Sequence, residues 1–350
     1  MKYKSVGFGY MLPLHPWSLI LELTKHCEAA GLDAVYMADH TVAFGIKRFD
    51  ALEAWTTLAA LATVTKKVRL GAIVSDVHRH HPAALAQMVT TVDIISGGRT
   101  VLGIGIGEGM NLIPFGVRHD KPTARTKEGV RLIKKLWTSE GRTSCDGEFF
   151  SLKNAKLQPK PIQNPHPPIW IAGTSPSMLK LVAEVGDGWV PAFMTPDEFA
   201  KTLNEIRVMA AELGRDASEI TPVCYTYCVV AKSDEDAENM IKVPAKMNLA
   251  HFSTRLRRYG VEVPEELRVT KMPLDESSAR KLLEFAKRLP DETIENRFIY
   301  GSPERCIEII EEFIKAGVQQ FCLPLLVRYE NMKDTLKLFA EEVVEYFKEA

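Results

Sequence analysis

Short apolar runs that alternate with amphipathic segments constrain this chain more than any other feature. Val6 to Leu12, Asp33 to Ala38, Val68 to Ser75, Thr100 to Gly105, Ile169 to Ala172, Gly188 to Phe193, Pro222 to Ala231 and Val318 to Leu325 read as buried strands. Between them, apolar residues recur at helical spacing, as in Leu19, Ile20, Leu23 and Cys27, or Leu85, Met88, Val89 and Val92. A strand that is apolar on both faces needs cover on both, and strand–helix–strand units supply it. None of the strands is polar enough to be an exposed edge. The pattern predicts an α/β fold, a (β/α)8 TIM barrel of parallel strands, with an open doubly wound sheet as the alternative.

Two stretches break the rhythm. Residues 141–168, after the fourth strand, carry scattered polar residues and several prolines, which predicts an irregular insertion with at most a short hairpin. From about Asp234 to Pro290, after the seventh strand, the pattern turns helical and uneven, a second insertion expected to hang over the barrel mouth. Residues 1–350 are read as a single domain, since α/β barrels of this length are often undivided.

Composition narrows the partners. Lys+Arg number 44 against 45 Asp+Glu, and a net charge of -1 gives no global field for nucleic acid or an anionic membrane. No apolar run is long enough to span a bilayer, and Met1-Lys2-Tyr3-Lys4-Ser5 lacks a signal-peptide core, so a cytoplasmic location is expected. Six scattered cysteines without a CxxC pair read as buried free thiols, with Cys224 and Cys228 on one face of a strand.

In such a barrel the working residues sit at the C-terminal strand ends. The second strand delivers Asp39-His40; the third delivers Ser75-Asp76 and then His78, Arg79, His80 and His81; the fourth runs into Gly103-Ile104-Gly105-Ile106-Gly107-Glu108-Gly109-Met110-Asn111. Glycines at alternate positions strip side chains from that strand end. A flat ligand could lie there on bare backbone, or a neighbouring strand could pack close. A dinucleotide fingerprint fits poorly, because Pro114 and Gly116 stand where a helix should open.

After the fifth strand, Gly173-Thr174-Ser175 offers free N–H groups and hydroxyls at a helix start, an anion cradle. His40, next to a carboxylate at a strand end, is either an acid/base group or a histidine with an ordinary hydrogen bond. A metal is not expected, because adjacent loop histidines rarely converge and no carboxylate or thiol completes a set with familiar spacing. These ends suit a phosphate-bearing organic cofactor, a small-molecule substrate and one acid/base pair.

The segment from Gly31 to His40, the Leu70–Ser75 strand followed by Arg79-His80-His81-Pro82, Gly97-Gly98-Arg99, the Gly103–Asn111 stretch, Ala172 to Pro176, Gly186 to Trp189 and Gly301-Ser302-Pro303 together resemble the bacterial luciferase-like superfamily. Within it the chain looks closest to the enzymes that use the deazaflavin coenzyme F420. The resemblance implies a homodimer and a deazaflavin ring against the third strand, bulged at a non-prolyl cis peptide that would fall at Ala72–Ile73. It implies Asp39, Ala72, Ile73, Ser75 and Asn111 as cofactor contacts, with the phosphate near Gly173, Thr174 and Ser175. His40 and Glu108 match the acid/base positions of the F420-dependent alcohol and sugar-phosphate dehydrogenases.

Phe44, in the substrate pocket by this resemblance, stands where those dehydrogenases carry tryptophan, and Pro191 to Pro196 lacks the lysine of the sugar-phosphate enzymes. The expected activity is hydride transfer between F420 and a small alcohol or carbonyl compound. Alternatives are a 5,10-methylenetetrahydromethanopterin reductase, an FMN-dependent luciferase-like monooxygenase, and a flavin-binding barrel without catalysis. Met11 replaces an acid of the pterin reductases.

Overall fold

The computed structural model describes residues 6–43, 50–252, 256, 259–268, 271–272 and 275–349. In chain order these hold β1 (Gly7–Met11), α1 (Trp17–Ala29), β2 (Ala34–Met37), α2 (Ala54–Val64), β3 (Arg69–Ser75), α3 (Pro82–Ser96), β4 (Thr100–Ile104), α4 (Gly109–Leu112) and α5 (Pro122–Thr138). There follow β5 (Thr143–Asp146), β6 (Ser151–Ala155), β7 (Ile169–Ile171), α6 (Pro176–Val185), β8 (Gly188–Trp189), α7 (Pro196–Glu212), β9 (Thr221–Tyr225) and β10 (Cys228–Val230). The last elements described below are α8 (Asp234–His251), α9 (Glu276–Lys287), β11 (Ile299–Gly301), α10 (Pro303–Lys315) and β12 (Gln320–Pro324).

Eight strands close into a parallel barrel in the order β1-β12-β9-β8-β7-β4-β3-β2. Closure leaves no edge strand to aggregate, and the open-sheet alternative falls. Inside the barrel, Met11, Tyr36, Ile73, Trp170, Val223 and Cys322 pack into one cluster. Large rings sit where a neighbour has no side chain: a Cβ on Gly9 would lie 2.3 Å from the Tyr36 ring, and one on Gly188 2.4 Å from Trp170. Burying each such ring is worth about 1.5–3 kcal/mol. Most helices are capped as their sequences suggest. Ser302 accepts from Arg305 N before Pro303, and Thr195 and Glu198 form a reciprocal capping box at α7.

The seventh strand is not one strand. Thr221–Tyr225 belongs to the barrel, but Cys228–Val230 leaves it and pairs in parallel with Ile299–Gly301 in a separate two-stranded sheet. The hydrophobic run is interrupted only at Thr226 because both pieces are buried, so the break left little mark in composition. Cys224 and Cys228 therefore lie in different sheets, both buried free thiols.

The first insertion holds the antiparallel β5–β6 hairpin. It is moored to α3 by the buried Asp93 carboxylate, which accepts from Ile162 N (2.7 Å), Gln163 N (3.1 Å) and Gln163 Nε2 (2.6 Å). The second insertion carries α8, α9 and its own apolar core of Ile241, Leu249, Leu256 and Leu282, joined by Phe193 from the barrel side and by Phe298 beyond its end. Just after it, the fully buried Arg297 makes a two-pronged bond to Glu198 at 2.7 and 3.0 Å and donates to the Phe193 carbonyl at 2.9 Å. That ties the insertion to the start of α7.

β3 is bulged, but one residue later than expected. Ala72 still pairs in register with Met37 and Leu102, and the shift falls between Ala72 and Ser75, with a cis peptide at Ile73–Val74 rather than Ala72–Ile73. The β4 glycines answer this bulge. A Cβ on Gly103 would lie 2.5 Å from the Ala72 carbonyl oxygen, and one on Gly105 2.8 Å from Val74 Cγ2. Gly103 thus serves a close strand approach, not a ligand.

Replacing Gly103 with alanine pushes a methyl group into a backbone oxygen that cannot swing away. We expect Gly103→Ala to cost about 1–3 kcal/mol in urea denaturation. Gly141→Ala, whose Cβ would meet nothing within 4 Å, should be near neutral.

Candidate active site

A cavity of about 320 Å³ opens where β2, β3, β4, β7, β8 and β9 end. His40 and Glu108 meet there, with Nε2 and Oε2 3.4 Å apart and both side chains about one-fifth exposed. His40 follows β2, whereas Glu108 is the last extended residue before α4. Asn111 ties the two loops together: its side-chain Oδ1 accepts from Thr41 N (2.8 Å) and Val42 N (3.1 Å), and its side-chain nitrogen Nδ2 donates to Glu108 Oε2 (3.3 Å). Removing that amide would free both sides of the pair at once.

Beside them, Asp39 is almost fully buried, and Arg79 (3.2 Å) and His80 (3.1 Å) both pair with its carboxylate. Burial alone would raise this carboxyl, but the His80 hydrogen bond and the Arg79 charge outweigh it and hold it at about 2. Burial likewise opposes the charged His80 ring, yet Asp39 overcomes it and lifts His80 above its ordinary 6.5. Asp76 completes the clamp: it accepts from His78 N and Arg79 N, and its second oxygen pairs with Arg79 Nε at 2.8 Å.

The basic run after β3 is thus divided among separate tasks. His78 Nδ1 faces the Arg118 carbonyl at 2.9 Å, Arg79 and His80 hold Asp39, and His81 accepts from Ala83 N at the head of α3.

Of the residues expected at a cofactor, Asp39, Ile73, Asn111, Gly173 and Thr174 line the cavity. Ala72 and Ser75 lie buried behind it; the Ser75 hydroxyl accepts from Trp55 Nε1 at 3.0 Å and steadies Asp39. Ser175 is the exposed N-cap of α6, outside the lining. Phe44 falls outside the described residues.

Sequence reasoning missed Tyr225, Tyr227, Asn248, His251 and Phe252, which form the far wall. Two aromatic residues closing an apolar strand were a usable signal for the tyrosines. Nothing in the uneven insertion singled out the others. Burial pushes His251 below its ordinary value, with the Glu108 charge opposing.

Comparison with known families places this architecture. The profile of the luciferase-like monooxygenases matches residues 6–320. The chain belongs to that family. A relative, the 5,10-methylenetetrahydromethanopterin reductase of Archaeoglobus fulgidus, is 30% identical over 322 residues, covering 91% of this chain and 93% of its own. The phthiodiolone/phenolphthiodiolone dimycocerosates ketoreductase of Mycobacterium tuberculosis is 30% identical over 287 residues, covering 79% of this chain and 75% of its own. Among solved structures, an F420-dependent secondary alcohol dehydrogenase with an F420-acetone adduct superposes with a TM-score of 0.80 at 23% identity, covering 97% and 98% of the two chains. This luciferase-like protein is an oxidoreductase. Among the described residues, no helix is long and apolar enough to cross a membrane.

The Asp39–His80 pair has a defined pH signature. His80 binds its proton more tightly folded than unfolded, so its contribution is full below about 6.5 and fades as pH rises through the folded value. Asp39 is depressed, so its contribution is present above 3.8 and fades as pH falls toward 2. The stability gap between the native protein and His80→Gln should be widest at mildly acidic pH and shrink toward alkaline pH. Urea melts across that range check this.

Proposed function

We propose that this luciferase-like protein is an F420-dependent oxidoreductase that interconverts a secondary alcohol and its carbonyl on a small organic substrate. The observation that carries the reading is the His40–Glu108 contact of 3.4 Å on the cavity floor. The same floor suits the coenzyme. Gly105, Gly107 and the Ile73–Val74 bulge make a flat surface without bulky polar groups, and Gly173 and Thr174 stand at the start of α6, where N–H groups favour a phosphate. Bound F420 would supply the site with a hydride donor or acceptor.

The protein's own groups do the rest. Glu108 sets the orientation of His40, and Asn111 holds Glu108. His40 takes the substrate's hydroxyl proton in oxidation and returns it in reduction. Asp39, kept ionised by Arg79 and His80, fixes the β2–β3 side of the cavity as a rigid acceptor. The mycobacterial ketoreductase supports carbonyl chemistry. The archaeal relative supports the second reading, a methylenetetrahydromethanopterin reductase, whereas FMN is the alternative cofactor. The working unit is taken as a homodimer.

Saturating F420 should raise the melting temperature, because ligand at 100 times its dissociation constant stabilises by about 2.7 kcal/mol. A shift with FMN and none with F420 would sink the coenzyme assignment. His40→Ala should slow turnover by about 10²–10⁴-fold. It should change coenzyme affinity by less than about tenfold. The absorbance assay with a panel of secondary alcohols, and with methylene-pterin in parallel, separates the two readings.

A further inference from the structure

We infer that the substrate half of this cavity is built for an uncharged aromatic ketone or the matching benzylic alcohol; this rests on reading the site as a carbonyl–alcohol site. In the closed strand order β9 lies four positions from β3, so Tyr225 stands across the barrel from the Ile73–Val74 floor. Tyr225, Tyr227 and Phe252 line the cavity there and converge on one ring behind them, Phe193, with centroids 5.6, 5.1 and 5.5 Å away. These spacings are those of favourable aromatic pairs.

The wall is fixed in place before any ligand arrives. Phe193 donates its N–H to the Tyr225 carbonyl at 3.0 Å, and its own carbonyl accepts from the buried Arg297 at 2.9 Å. Tyr227 donates its phenol proton to Asn248 Oδ1 at 2.7 Å, and Asn248 in turn donates to the Pro244 carbonyl at 3.0 Å. A rigid ring surface favours a flat π-rich partner, because no side chain has to be ordered on binding.

Charge narrows the class further. Among the described residues lining the cavity the acidic side chains are Asp39, Asp76 and Glu108, and the imidazoles are those of His40 and His251. Arg79 pairs with both of the first two, at 3.2 and 2.8 Å, His80 adds a second partner to Asp39 at 3.1 Å, and Glu108 sits on His40. No described lysine or arginine lines the space, so a phosphate or carboxylate on the substrate would face Glu108 without a counter-charge. In the oxidative direction His40 would take the proton from the alcohol oxygen, and bound F420, in its oxidised form, would supply the acceptor for the hydride that leaves the carbon. The alcohol's C–O bond thereby becomes the carbonyl, and the electron pair leaves on the reduced coenzyme.

The test compares equilibrium binding of acetophenone with cyclohexyl methyl ketone, which keeps the carbonyl and the ring size but not the π face. Calorimetry is run on the whole protein with and without F420. Acetophenone should bind roughly three- to tenfold more tightly, and Phe252→Leu should bring the ratio close to one. Equal affinities, preference for the saturated ring, or no measurable binding of either ketone would overturn the aromatic assignment. An F420 melting shift in the same samples would leave the coenzyme reading standing in those cases. A retained preference with no F420 shift would do the reverse. If Phe252→Leu fails to fold, Tyr225→Leu replaces it, and the ratio on the native protein remains decisive.

Discussion

The site depends on a steric fit between two neighbouring strands. β3 abandons its regular ladder after Ala72, and the backbone and Val74 side chain that bulge out occupy volume that β4 vacates at Gly103 and Gly105. Either glycine replaced by a larger residue would force the strands apart. The apolar floor, the place of Asp76 and the reach of the loop carrying Glu108 all follow from that fit. Because packing in such a core has little slack, a displacement at Gly103 would be felt at the cavity rather than absorbed.

Around this floor the polar groups are coupled rather than independent. Arg79 is shared between Asp39 and Asp76, and Asn111 is shared between Glu108 and the loop after His40. Ordering the His40–Glu108 pair in this way costs entropy only once, at folding, instead of each time a ligand binds. Burial keeps the clamp on Asp39 strong, since buried charges are little screened by salt.

The barrel was legible because two-sided burial and helical spacing act over whole segments, and Asp39-His40 and Gly107-Glu108 were legible because strand ends in a closed barrel converge. What stayed hidden depended on local breaks. Pro222 to Ala231 is apolar but for Thr226, so the exit of the chain at Thr226 and Tyr227 left a single hydroxyl as its only mark. Ser175 stands one position beyond the cavity lining and Ser75 turns its hydroxyl to Trp55, placements set by backbone direction rather than residue type. The role of β4's glycines was ambiguous in sequence, and both readings hold: Gly103 admits a strand, while Gly105 and Gly107 border the cavity. His251, Asn248 and Phe252 come from an insertion whose course no periodicity dictates.

One feature of the cavity bears on how such proteins diversify. Among the described residues, those lining the floor side lie between Ala38 and Thr174, and those on the side of the aromatic wall lie between Val190 and Phe252. On the proposed function, chemistry and recognition are written in consecutive halves of the polypeptide that meet only in space. Recombination within the α6–β8 connection would hand one parent's reacting groups to another parent's selectivity. The single crossover would fall where the barrel already joins two neighbouring parallel strands through a helix, leaving the glycine-and-bulge interlock of the first half whole.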